Sequence, residues 1–138
     1  IESCDCLRLG LNAEDGAYIV PLNFAYVPGK PAKFYFHSAK EGRKVDMIGQ
    51  GAKAGFELDG AHRLGEAETG CRHTFFYQSV IGTGTVRPVE TLEEKKRALS
   101  AIMAHYRKDC AFSFTDEQAD AVAVFCLTAE TMSCKQHS

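Results

Sequence analysis

The chain has no tryptophan, only four prolines and three methionines among its 138 residues. It has no apolar run long enough to cross a bilayer as a helix; the longest, Ala121 to Leu127, is strand-sized. No secretory leader is visible, so a cytoplasmic location with no membrane partner is expected. A basic excess is also missing. Sixteen Lys and Arg against 18 Asp and Glu give a formal net charge of −2, which argues against a nucleic-acid partner. The densest cationic stretch, Lys95-Lys96-Arg97, follows Glu93 and Glu94 and reads as a solvated helix face. A dinucleotide fingerprint is absent as well. Gly82-Thr83-Gly84 lacks the third glycine and runs on into a strand pattern.

Cysteine is not scarce. Cys4, Cys6, Cys71, Cys110, Cys126 and Cys134 are irregularly spaced, and reduced thiols are the better reading without a secretory signal. A zinc site built from Cys4, Cys6, Cys71 and His73 is the sharper alternative. One residue between Cys4 and Cys6 is too few for a knuckle turn, so no metal is expected.

Apolar residues make up 45% of the chain, enough to fill the core of one domain over residues 1–138. Leu7, Leu9 and Leu11 alternate with polar or small residues, as on a half-buried strand. A turn at 12–16 leads into a second strand, 17–26, interrupted by Pro21. Further strands are expected over 33–37, 53–58, 75–87 and 121–128, with a loop through Gly70 and no clear pattern after Met132. Gly82 and Gly84 mark a sharp bend of the kind found at barrel corners. Thr91 and Glu94 suit a capping box opening a helix to Arg107, with Leu92, Leu99, Ile102, Met103 and Tyr106 as its apolar stripe. Thr115 with Gln118, or Asp116, caps a short helix over 115–119. Six sequential strands with short helices predict a mainly β (α+β) antiparallel barrel.

The segment Phe34-Tyr35-Phe36-His37-Ser38-Ala39-Lys40-Glu41-Gly42-Arg43-Lys44 carries the most chemistry. An aromatic strand meets Ser38 and Glu41, spaced as a capping box, so a helix over 39–50 is expected. Lys40, Arg43 and Lys44 then crowd the positive end of that helix. A bound anion, a phosphate for instance, would remove the conflict. The plain alternative is a solvated basic turn.

Four motifs in order resemble one family: Tyr18-Ile19-Val20-Pro21-Leu22-Asn23-Phe24-Ala25-Tyr26, the segment above, Gly55-Phe56-Glu57-Leu58-Asp59, and Tyr77-Gln78-Ser79-Val80-Ile81-Gly82-Thr83-Gly84. From about residue 4 to residue 106 the chain resembles the pyridoxamine 5′-phosphate oxidase-like flavoproteins, within them the nitroimidazole-resistance branch. The resemblance implies a six-stranded split β-barrel with flanking short helices, a homodimer, and FMN at the subunit interface. It places Val20, Pro21, Leu22 and Asn23 beside the isoalloxazine ring, and His37 and Ser38 near the flavin. It puts Lys44, helped by Arg43, on the phosphate. It assigns Ser79 and Val80 to a strand that approaches the flavin from the barrel or the partner subunit. His37 is the candidate catalytic residue, as proton or hydrogen-bond donor; the alternative is a histidine that only bonds phosphate or backbone.

Two departures bear on function. The Arg- and Lys-rich pyridoxal phosphate pocket is missing, which argues against vitamin B6 oxidation. The branch's N-terminal helix is absent or cut. The implied function is an FMN-dependent oxidoreductase that takes electrons from a donor such as NADH or NADPH and passes them to a small oxidised acceptor, with nitroaromatic or nitroimidazole compounds as the suggested class. The alternative is a non-catalytic flavin store or redox sensor.

Overall fold

Alternation decides the first strand: Leu7, Leu9 and Leu11 are buried, while Arg8 and Asn12 are exposed. In the computed structural model, which describes residues 1–138, this strand is β1 (Leu7–Ala13). It is followed by β2 (Gly16–Leu22), β3 (Ala25–Val27), β4 (Lys33–Ser38), α1 (Arg43–Ile48), β5 (Ala52–Gly65), β6 (Thr74–Pro88), α2 (Leu92–Tyr106), α3 (Asp116–Asp120) and β7 (Ala123–His137). The strands form one antiparallel sheet in the order β2-β1-β5-β6-β7-β4-β3. The sheet does not close on itself; β2 and β3 are its two edges.

This is the expected mainly β split barrel with flanking helices. It has seven strands rather than six because the stretch 17–26 breaks at Asn23–Phe24, beyond Pro21. Two other strands run further than the sequence pattern suggested. β5 continues to Gly65 across a bulge between Gly60 and Arg63, and β7 continues to His137.

The inner face of the sheet wraps a core of 17 buried residues that includes Phe24, Phe34, Phe36, Phe56 and Phe125. The Phe34 ring lies 5.1 Å from Phe56 and 6.1 Å from Phe24, centroid to centroid. Each such fully buried side chain contributes about 1.5–3 kcal/mol. A smaller cluster of Val89, Ala98, Leu99, Ala119 and Val124 packs α2 and α3 against the opposite face of β4 and β7. Thr115 and Gln118 form the expected capping box on α3. On α2 the box is half made: Thr91 accepts the Glu94 N–H (3.3 Å), while the Glu94 carboxylate accepts from the Tyr35 hydroxyl instead (3.1 Å).

Gly82 and Gly84 sit where the β6–β7 register shifts. A methyl group on Gly82 would lie 2.3 Å from both the Thr131 carbonyl oxygen and Phe56; one on Gly84 would lie 2.2 Å from the Thr128 carbonyl oxygen. Only glycine lets the strands approach this closely.

Candidate functional site

Along β4 the side chains of Phe34 and Phe36 enter the core, so Tyr35 and His37 point to the other face. His37 is exposed near the end of the strand, opposite Val124. The chain then reverses through Gly42, whose φ of 137° lies in the region that favours glycine. The expected capping box at Ser38 and Glu41 does not form. Ser38 donates to its neighbour's carbonyl at Ala39 (2.7 Å), α1 starts only at Arg43, and no side chain caps it. Gly42 separates Ser38 from the helix, so only the cations, and no capped helix end, would attract a phosphate here.

The three cations have different fates. Lys40 lies 3.8 Å from Asp120. Arg43 pairs with Asp15 at 3.1 Å, and its guanidinium sits 4.6 Å above the Tyr18 ring. Arg43 thereby braces α1 against the β1–β2 hairpin. Lys44 has no carboxylate partner and no hydrogen bond. It is half-buried, and burial pushes its pKa down. Although the His37 ring keeps an exposed edge, partial desolvation of the rest, and next the Lys44 charge, hold it below the ordinary histidine value. An ammonium drawn out of water without a counter-ion carries an uncompensated cost. An anion at this corner would remove it and would favour a charged imidazole as well.

β2 forms the next wall. Leu22 is buried and Val20 half-buried, while Pro21 and Asn23 are exposed. One side of β2 is laddered to β1, with Val20 opposite Leu9 and Leu22 opposite Leu7. Its other side is a sheet edge, where backbone groups have no strand partner. Pro21 has no N–H to offer there.

Ser79 and Val80 lie elsewhere. They line a cavity of about 250 Å³ together with Cys4, Leu58, Cys134 and Lys135. The expected residues therefore fall into two groups. Arg43 ties β2 to the Lys44 corner and His37 sits beside Lys44, but within one chain Ser79 and Val80 line a separate cavity. Sequence reasoning missed Asp15 and Tyr18, which hold Arg43, and Tyr106, which holds Phe24. Nothing local marks them, because each acts across a long sequence separation. Cys71 and His73 turn to Thr69, and no group of three His, Cys, Asp or Glu side chains gathers anywhere. All six cysteines are free thiols.

The half-buried Lys44 and the His37 imidazole thus share one corner near the edge strand β2, to which Arg43 is tied. Residues 1–136 match the family model for pyridoxamine 5′-phosphate oxidase, and the chain belongs to that family. Within it, the chain is similar to a candidate 5-nitroimidazole antibiotic resistance protein from Bacteroides thetaiotaomicron. The two share 30% identity and a TM-score of 0.81 over 96% of this chain and 77% of that one. An FAD and heme binding protein from Mycobacterium smegmatis shares the fold at 15% identity, with a TM-score of 0.81 over 99% of this chain and 67% of that one. A flavocytochrome, Anf3, from Azotobacter vinelandii does so at 15% identity, with a TM-score of 0.77 over 99% of this chain and 64% of that one. No curated protein matches the sequence. No helix is long and apolar enough to cross a membrane.

Proposed function

We propose that the chain holds FMN where β2, the end of β4 and α1 meet, and acts in the cytoplasm as an oxidoreductase that passes electrons to a small oxidised acceptor. The observation that carries this is Lys44, a half-buried cation without a counter-ion. The donor set fits the group. Lys44 would hold the phosphate, and the free edge of β2 would offer backbone groups from Val20 to Asn23 to the polar rim of the ring. Bound FMN would supply the redox chemistry; the protein supplies orientation and restricted water access. A phosphate beside Lys44 would bring the lowered His37 pKa back up, which would let the imidazole give or take a proton beside the ring. Nitroaromatic and nitroimidazole compounds are the acceptor class, given the Bacteroides relative. NADH or NADPH would visit as donor, since no dinucleotide fingerprint is present. A second copy of the chain would bring its own Ser79 and Val80 to the flavin, which is how the two groups of residues form one site.

The test is an absorbance spectrum of the purified protein with and without added FMN, followed by anaerobic NADH or NADPH and then a nitroimidazole. Yellow flavin bands that bleach with the donor and return with the nitro compound are expected. A protein that stays colourless in FMN ends the reading. Bound flavin that neither donor reduces makes the protein a flavin store or sensor.

A further inference from the structure

We propose that Tyr106 is a positioning residue whose hydroxyl fixes the Asn23–Phe24 peptide, and so the free end of the Val20–Asn23 stretch, for the flavin ring, a role that rests on the flavin reading above. β2 ends at Leu22 and β3 begins at Ala25, so Asn23 and Phe24 lie in no strand ladder. Phe24 is fully buried, and its N–H cannot turn to water. That N–H donates to the Tyr106 hydroxyl at 3.1 Å. The same hydroxyl donates to the Asp5 carbonyl at 2.8 Å. Donor and acceptor capacity are thus both engaged, which fixes the direction of the hydroxyl and of the peptide it holds.

The preceding residue reinforces the grip. His105 Nε2 donates to the Cys4 carbonyl at 2.7 Å, and its ring packs 4.4 Å from Phe24. The last turn of α2 therefore clasps the chain just before β1 and at the β2–β3 break. One clasped point adjoins Asn23. The other is Cys4, which lines the cavity shared with Ser79 and Val80. A tyrosine serving only as filler would need its ring but not its hydroxyl.

The experiment compares wild type, Tyr106→Phe and Thr91→Ala in the full chain with FMN as the probe. Thr91→Ala removes the cap at the far end of α2 and controls for general loosening. Three quantities are read: amide exchange at Phe24 without flavin, the FMN Kd, and the position and fine structure of the visible flavin band. For Tyr106→Phe we expect Phe24 exchange and the Kd each to rise about tenfold, roughly one hydrogen bond's worth, with an altered band. Thr91→Ala should lower Tm and leave all three readings as in wild type. Identical Kd and band shape in Tyr106→Phe and wild type would overturn the role, as would Thr91→Ala reproducing every change. A wild-type chain that takes up no flavin sinks the flavin reading and this role together; one that binds while Tyr106→Phe binds identically sinks the role alone.

Discussion

Arg43 reaches Asp15 at 3.1 Å, whereas Lys44, the next residue, meets no carboxylate. Two adjacent cations thus have different work. Lys44→Ala should raise the FMN Kd by about tenfold or more, since a charge-assisted bond to phosphate is worth about 1.5–3 kcal/mol. Arg43→Ala loses an exposed ion pair and a stack on Tyr18, each worth about 1 kcal/mol or less. It should lower stability slightly and affect flavin less. Fluorescence titration of FMN against both variants checks this, and equal Kd changes would contradict the division of roles.

His37 should add a small acid-sensitive contribution to stability, small because the ring is solvent-exposed. Its folded-state pKa lies below the ordinary value of about 6.5, so the unfolded chain takes up a proton first as pH falls. The stability contribution is complete above that value and is lost as pH drops through the folded pKa. Urea denaturation at about pH 7 and about pH 5 should show a steeper acid-side loss for wild type than for His37→Gln. Phosphate beside the imidazole should reverse the shift. Adding FMN is expected to raise the His37 pKa followed by NMR, and no rise would place the phosphate elsewhere.

The Tyr35 hydroxyl and the Glu94 carboxylate join β4 to α2. Burial, the main cause, raises the tyrosine pKa well above its usual range, so the phenol stays protonated and remains the donor. Tyr35→Phe should cost about 1 kcal/mol and lower the urea midpoint, because Glu94 is left without its partner. An unchanged midpoint would mean that water replaces the hydroxyl at no cost.

Gly82→Ala and Gly84→Ala should be far more damaging than Gly10→Ala. At Gly10 the nearest atom to an added methyl is 3.6 Å away, an ordinary contact. At Gly82 and Gly84 the obstruction is backbone carbonyl oxygen in β7, which cannot rotate away. A loss above about 3 kcal/mol is expected at either site, visible as poor soluble yield or a large fall in Tm.

Much of the fold was legible because one-sided burial writes itself as alternation. Leu7, Leu9 and Leu11 fixed β1, and Thr115 with Gln118 announced α3. The far half of β7 left no such trace: from Glu130 to His137 every residue is exposed, so no apolar periodicity marks the strand. Ser38 misled because α1 begins only at Arg43, beyond Gly42, so the hydroxyl is not at the helix end and donates to the Ala39 carbonyl instead. Lys44 stood out as a cation in the sequence. Its lack of a partner appeared only when Asp15 and Asp120 folded toward Arg43 and Lys40.

β7 belongs to two neighbourhoods. Residues Ala123–Thr128 are laddered to β4, and of these Phe125–Thr128 are laddered to β6 as well, but beyond the register shift only β6 remains as a strand partner. The strand can therefore fray from its far end while its near end stays shut. Amide protection should fall along its length, slowest to exchange near Phe125 and Leu127 and fastest around Lys135. The wall of the cavity at Cys134 and Lys135 is then its most yielding part, able to adjust to an occupant without unzipping the sheet.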